Sequence, residues 1–184
     1  MTKKQVREFI NKKKNTLSDE YKEFANQSIL KQVLQLKEYQ EANTIFCYAS
    51  MANEVNTWPI LGFALEEGKR VGVPICIGKG IMEVREIQSL DDLEKGAYKI
   101  MEPNSHCSIL KKDEIQLGII PCVSADLHKH RLGHGAGFYD RYLQNTRFPK
   151  VLLCWKKLMM DHIPVDEYDV QMDDVIFEKD EIFF

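Results

Sequence analysis

Short runs of β-branched and aromatic residues alternate along this chain with segments of helical periodicity, and this alternation is the strongest constraint on its fold. Apolar residues recur at spacings of three and four over 3–14 and 19–37, which predicts two helices. A third helix is expected between a cap at Asn56 or Thr57 and a stop at Gly68. Strands are predicted at 44–50, 70–77, 82–87, 116–123, 150–155 and 174–178, and a short helix at 138–145.

Alternating strands and helices are typical of the α/β class. We therefore predict a single domain over residues 1–184, with a largely parallel open sheet covered by helices on both faces in a Rossmann-like three-layer arrangement. Ligands of such sheets bind beyond the carboxyl ends of the strands. The loops at 49–56, 78–81 and 124–137 are the candidates here.

The composition excludes several classes of function. The 184 residues include 25 Lys and Arg against 28 Asp and Glu, a formal net charge of −3, which is no signature of nucleic-acid or membrane binding. No apolar run is long enough to span a bilayer, and the first residues lack the apolar core of a secretory signal. Five cysteines without a CxxC pair indicate a reducing environment. We expect a cytoplasmic monomer whose partners are small molecules.

The charges are concentrated at the two ends of the sequence. Residues 1–14 are strongly basic, and residues 161–184, as far as Glu181, are strongly acidic. One interpretation is two solvated ends that attract each other weakly. The other is a basic segment that faces phosphate and an acidic segment that faces a metal ion.

The most informative segment is RLGHGAGFYDRYL at 131–143, where Gly133, Gly135 and Gly137 alternate just before a helix. A glycine-rich loop that leads into a helix presents bare backbone N–H groups, which form an anion site. Arg131 and Arg141 offer bidentate contacts to phosphate. The alternative is a surface loop that needs glycine only for its turns. The spacing is neither a Rossmann fingerprint nor a Walker A loop.

Three further groups of polar residues admit two interpretations each. Asp140 follows the glycines and either caps the helix or holds Mg²⁺ beside a phosphate. Glu54 and Asn56, in a loop with Met51, either contact a heterocycle or serve only the loop, with Asn56 as a helix cap. The histidines of the run HKHRLGH at 128–134 lack a spacing that turns them to one zinc ion.

Together these segments resemble the 5-formyltetrahydrofolate cyclo-ligase family over nearly the whole chain. The glycine segment with FYDRYL at 131–143 is the most specific match. The weaker matches occur in the family's order: Lys3 to Arg7; Tyr48, Ser50, Glu54, Val55 and Thr57; Val73-Pro74; Glu102-Pro103; and His162, Ile163, Pro164, Asp169 and Asp173. Asn56 and Ala136 depart from the family, which commonly has an acid and a Lys or Gly there.

The resemblance implies a ligase that uses ATP and Mg²⁺ to convert 5-formyltetrahydrofolate to 5,10-methenyltetrahydrofolate, with release of ADP and phosphate. It implies an ATP site of Lys3, Lys4, Arg7, Arg131, Leu132, Gly133, His134, Gly135, Ala136, Gly137, Phe138 and Tyr139. It implies a folate site of Met51, Glu54, Asn56, His134, Gly135, Ala136, Gly137 and Phe138. Asp140 and Asp169 would hold the metal ion, and Arg131 and Glu54 would be the catalytic residues.

The implied reaction agrees with the chemistry of the residues. The oxygen of an N-formyl group leaves poorly until it is phosphorylated, and phosphoryl transfer needs positioning and charge neutralisation more than a protein nucleophile. Two alternatives stay open: a sugar-phosphate isomerase or transferase on a related α/β fold, and a non-catalytic binder of folate or nucleotide.

Overall fold

The computed structural model describes residues 1–180, so Glu181 at the end of the acidic segment lies outside the described residues. The helices are α1 (Lys3–Lys14), α2 (Asp19–Gln35), α3 (Lys37–Glu41), α4 (Trp58–Glu66) and α5 (Phe138–Leu143). The strands are β1 (Thr44–Cys47), β2 (Arg70–Gly78), β3 (Ile81–Ile87), β4 (Leu93–Lys95), β5 (Met101–Pro103), β6 (Leu117–Ile120), β7 (Ser124–Ala125), β8 (Arg131–Leu132), β9 (Lys150–Leu153) and β10 (Asp174–Ile176).

The helix ends follow from local capping. Thr2 and Gln5 form a reciprocal capping box at the start of α1. Ser18 caps α2 as predicted, and its side chain accepts a hydrogen bond from the Tyr21 backbone N–H. Beyond the end of α4, Gly68 has a φ of +78°, a conformation that glycine adopts without strain.

Six strands form one open sheet in the order β10-β9-β6-β1-β2-β3. All neighbouring pairs are parallel except β2 and β3, which form an antiparallel edge. Every residue of β1, β6 and β9 is buried, as expected for parallel strands covered by helices. Helices flank the sheet: α4 packs on β2, α5 on β3 and α2 on β10. The predicted α/β class and largely parallel open sheet are confirmed.

Two small hairpins are absent from the sequence prediction. Strands β4 and β5 pair antiparallel beside β2, and β7 and β8 pair antiparallel after β6. Both are too short to show an alternating pattern. Both hairpins lie at the same end of the sheet. The β7–β8 hairpin lies there because β7 begins just after β6 ends. No helix within residues 1–180 is long and apolar enough to cross a membrane.

Candidate active site

A cavity of about 1120 Å³ opens beyond the carboxyl ends of β1 and β6. This is the edge at which open α/β sheets bind their ligands. The cavity brings together almost all of the predicted site residues, which are Lys3, Arg7, Met51, Glu54, residues 131–140 and Asp169. Lys4 and Asn56 are not among the residues that line it, and both side chains are exposed.

The glycine loop before α5 forms one wall of the cavity. Gly135 and Gly137 have φ values of +105° and +75°, which side-chain-bearing residues rarely adopt. Two arginines hold the loop by its carbonyl groups: Arg7 Nε donates to Gly133 O at 2.7 Å, and Arg141 Nη1 donates to Ala136 O at 2.7 Å. Arg141 therefore holds the loop itself, whereas its sequence position suggested a phosphate contact.

Arg131 is a buried cation in the wall of the cavity, with 7% of its surface exposed. Its Nε donates to Pro121 O at 2.7 Å, and its guanidinium carbon lies 4.9 Å from the centre of the Tyr139 ring. Its Nη1 lies 3.8 Å from Asp140 Oδ2. These contacts fix the guanidinium group beside the glycine loop, so a phosphate group in the cavity would meet a pre-oriented cation.

The first helix brings a second cation to the cavity. Lys3 Nζ lies 2.6 Å from Asp169 Oδ2 and 2.7 Å from Asp166 Oδ2. Burial lowers the pKa of Lys3, but the hydrogen bonds and charges of Asp166 and Asp169 outweigh it, so the pKa is raised. The basic and acidic ends of the sequence therefore meet at the cavity. Neither interpretation of these ends, as solvated segments or as segments that face phosphate and a metal ion, described this arrangement fully.

Asp140 and Asp169 lie on two segments that are in contact. The Val170 backbone N–H donates to Asp140 Oδ1 at 3.3 Å, and Val170 follows Asp169 directly. The interpretation of Asp140 as the cap of α5 is wrong, because Gly137 occupies the cap position and no side chain caps that helix.

The two carboxylates are hard oxygen ligands of the kind that Mg²⁺ takes. In the described part of the chain, no three His, Cys, Asp or Glu side chains come together as a metal site. Mg²⁺ is usually bound by one or two carboxylates together with substrate phosphates and water, so Asp140 and Asp169 fit this ion as part of a site that a nucleotide completes.

Glu54 lies on the loop after β1, where its Oε1 accepts a hydrogen bond from the Met51 backbone N–H at 2.8 Å. Burial raises the pKa of Glu54, and the Met51 N–H and the charges of Lys14 and Arg131 act in the opposite direction. A carboxylate with a raised pKa is a better proton acceptor at neutral pH than an exposed one. The neighbouring Asn56 Oδ1 accepts a hydrogen bond from the Trp58 backbone N–H at 3.1 Å, but Thr57 occupies the N-cap position of α4 and no side chain caps that helix.

The histidines of 128–134 do not converge. Residues 126–130 form a tight turn in which the buried Asp126 carboxylate accepts the backbone N–H groups of His128 and His130. His134 lies in the cavity, and its pKa is lowered, first by partial burial and then by the charges of Lys14, Arg131 and Arg7. His134 is therefore a neutral ring at neutral pH.

Sequence reasoning assigned no role to several residues that line the cavity on its other side. They are Pro74, Cys76, Met82, Tyr98, Ile100 and Glu102, from β2, β3 and the β4–β5 hairpin. Val73-Pro74 and Glu102-Pro103 had been noted, but only as motifs without a role. Lys14, at the end of α1, is also buried and acts on Glu54 and His134 by its charge.

Comparisons with known proteins identify similarity over nearly the whole chain. The model of the "5-formyltetrahydrofolate cyclo-ligase family" matches residues 1–178. A protein of Schizosaccharomyces pombe named probable 5-formyltetrahydrofolate cyclo-ligase is 31% identical, over 96% of this chain and 95% of its own length. The 5-formyltetrahydrofolate cyclo-ligase of Haemophilus influenzae is 27% identical, over 95% of this chain and 96% of its own.

Two solved structures have the same fold. The 5,10-methenyltetrahydrofolate synthetase of Aquifex aeolicus superposes with a TM-score of 0.83 at 24% identity, over 100% of this chain and 96% of that chain. The synthetase of Mycoplasma pneumoniae superposes with a TM-score of 0.79 at 25% identity, over 97% of this chain and 100% of that chain.

Proposed function

This chain belongs to the 5-formyltetrahydrofolate cyclo-ligase family, a family of ligases, and on that premise we propose that it converts 5-formyltetrahydrofolate to 5,10-methenyltetrahydrofolate at the expense of ATP. The reaction converts ATP to ADP and phosphate. The observation that carries the proposal is the cavity itself, in which a glycine loop, one buried and two half-buried cations, and several acids surround a space large enough for two small molecules.

The nucleotide phosphates bind at the glycine loop in this proposal. Arg131 is pre-oriented there, Arg7 holds the loop from α1, and Lys3 supplies an ammonium group at the same wall. Fixed cations at this wall stabilise the charge of the transferring phosphoryl group without reorganisation during the reaction. Lys4 lies outside this set.

Asp140 and Asp169 would hold Mg²⁺. Bound between these acids and the nucleotide, the ion would neutralise phosphate charge. Lys3 pairs with Asp169, and Arg131 Nη1 lies 3.8 Å from Asp140 Oδ2, so each acid already has a cation beside it.

The folate occupies the part of the cavity next to Met51 and Glu54. The formyl oxygen attacks the γ-phosphorus, the bond from that phosphorus to ADP breaks, and the oxygen becomes part of a phosphate ester. The folate's own N10 then attacks the activated formyl carbon and closes the five-membered ring, and loss of phosphate from that carbon gives the methenyl product. Glu54 accepts the N10 proton, and its buried position favours this role. Because the ring closure is intramolecular, no protein nucleophile is needed.

The proposal is tested by two readouts on the purified protein. ADP release is measured with and without 5-formyltetrahydrofolate, and the absorbance of methenyltetrahydrofolate is followed in the same samples. We expect both signals only when ATP, Mg²⁺ and the folate are all present. Binding without turnover would favour the non-catalytic binder, and conversion of a sugar phosphate without ATP would favour the isomerase or transferase alternative.

A further inference from the structure

Glu102 lines the cavity from the β4–β5 hairpin. This hairpin packs beside β2 and β3, at one edge of the sheet. Lys3 and Asp169 come from other elements, since Lys3 belongs to α1 and Asp169 to the segment that contacts α5 through Val170. The carboxylate of Glu102 therefore enters the cavity from a part of the fold separate from the Lys3–Asp169 ion pair.

The Glu102 side chain is buried without a complete set of partners. Only 6% of its surface is exposed, and its Oε1 has no hydrogen-bond partner within residues 1–180. Burial raises the pKa of this carboxyl, and the Cys76 backbone N–H acts in the opposite direction. A buried polar atom that is left unpaired is costly and rare in native proteins. A ligand that donates hydrogen bonds to this carboxylate would remove that cost.

The hairpin is built to hold this carboxylate. A Cβ added to Gly96 would lie 2.5 Å from Glu102 Oε2, so only glycine leaves room for the side chain in its observed place. Tyr98 has a φ of +57°, an unusual conformation for a residue with a side chain. Its ring lies edge-on to Phe138 with 6.1 Å between the ring centres. Because both residues line the cavity, this aromatic pair and Glu102 share one compartment.

The walls around Glu102 are apolar. Pro74, Met82 and Ile100 line the same side of the cavity as the aromatic pair. Such a compartment suits a flat heterocycle with a polar edge, whose faces contact apolar groups while the edge meets the carboxylate. Arg141 also lines the cavity, but its Nη1 donates to the carbonyl groups of Gly80 and Ala136, so we assign the nucleotide phosphates to Arg131 and the glycine loop.

We propose that Glu102 is a pterin-recognition residue, whose carboxylate accepts hydrogen bonds from the 2-amino group and N3–H of the pyrimidine edge of 5-formyltetrahydrofolate. The proposal rests on the proposed function for the identity of the folate. The pterin edge presents two neighbouring donors, which match the two acceptor oxygens of a carboxylate. The Watson–Crick edge of adenine presents one donor and one acceptor, so an ionised carboxylate matches it poorly.

The test is a binding cycle with matched variants. Glu102→Gln keeps the size of the side chain and removes one acceptor, and Glu94→Gln makes the same change at an exposed residue that pairs with Glu102 across the hairpin. Gly96→Ala keeps the carboxyl group but displaces it. Each protein is titrated with 5-formyltetrahydrofolate, with an analogue that carries hydrogen in place of the 2-amino group, and with ATP, and its fold is checked by thermal melting.

We expect Glu102→Gln to lower the affinity for 5-formyltetrahydrofolate by about 10- to 100-fold, which is the effect of one lost charged hydrogen bond. The affinity for ATP should be unchanged. Gly96→Ala should show the same selectivity, and Glu94→Gln should bind as wild type does. The analogue should bind the wild type weakly, and Glu102→Gln should no longer distinguish it from the folate.

Unchanged folate affinity in folded Glu102→Gln and Gly96→Ala proteins would overturn the assignment, and so would equal losses for folate and ATP. A wild-type protein that binds no pterin would overturn it as well. If the wild type binds the folate but forms no methenyl product, the proposed function fails while the binding cycle still decides the role of Glu102.

Discussion

Replacing Arg131 by alanine should affect stability and turnover by separate routes. The stability loss follows from the contacts of the side chain. A hydrogen bond from a charged donor to the Pro121 carbonyl contributes ~1.5–3 kcal/mol, and the contact with the Tyr139 ring contributes ~0.5–2 kcal/mol. The sum, roughly 2–5 kcal/mol, corresponds to a fall of roughly 4–20 °C in melting temperature for a chain of this size.

The loss of turnover should be larger than the stability change explains. An arginine that stabilises a transferring phosphoryl group accounts for a factor on the order of 10³ in kcat, which is about 4 kcal/mol of activation free energy. Turnover is therefore measured well below the melting temperature of each variant. Arg131→Lys keeps the positive charge, but an ammonium group lacks the planar fork that serves Pro121, Tyr139 and Asp140 together. We expect its turnover to be closer to that of the alanine variant than to wild type.

Arg147→Ala is the matched control, because Arg147 is exposed and does not line the cavity. It should melt and turn over as wild type does. A folded Arg131→Ala protein with turnover within about tenfold of wild type would refute the role in phosphoryl transfer, since a factor on the order of 10³ is expected. The stability argument is refuted separately if the melting temperature of the Arg131→Ala protein equals that of wild type.

Three other outcomes are expected. Asp140→Asn and Asp169→Asn should each raise the Mg²⁺ concentration needed for half-maximal turnover and leave 5-formyltetrahydrofolate affinity unchanged; an unaltered Mg²⁺ dependence in both would contradict the assignment. Lys3→Met should lower the free energy of unfolding at neutral pH. Because the pKa of Lys3 is raised above 10.5 in the folded protein, this difference from wild type should persist from neutral pH up to that pH and disappear as the pH rises further, and a difference that persists in strong alkali would be inconsistent with the ion pair. Finally, ¹⁸O placed in the formyl group should appear in inorganic phosphate, and label found in water instead would exclude direct phosphorylation of that oxygen.

The regular elements were predictable because their sequence periodicity reflects burial directly. The strand predicted at 44–50 is nevertheless shorter, since β1 ends at Cys47. The reason is a side chain from outside the strand: the Thr57 hydroxyl donates to Tyr48 O at 2.6 Å and accepts from the Ser50 N–H at 3.0 Å. These hydrogen bonds take the place of the backbone hydrogen bonds between neighbouring strands, and they turn the chain toward α4. A contact between residues seven or more positions apart leaves no local pattern in the sequence.

The candidate site was predictable where the chemistry lies in one continuous motif, as in the glycine loop. It was not predictable where distant segments meet. The pairing of Lys3 with Asp169 depends on the sheet order, and the position of Glu102 depends on a hairpin of three-residue strands. The role of Arg141 as a support for the loop likewise depends on which carbonyl groups lie within reach of its guanidinium. Residue types and spacing predict which groups are available, and only the folded chain brings them together.

The ion pair between Lys3 and Asp169 joins residues that are 166 positions apart. During synthesis on the ribosome, α1 emerges long before its acidic partner. Strands β1, β2 and β3 can already have paired by then, because their contacts are sequential. The ion pair therefore forms only after residue 169 has been translated, and a nascent chain interrupted before residue 169 lacks one of the two carboxylates that position Lys3.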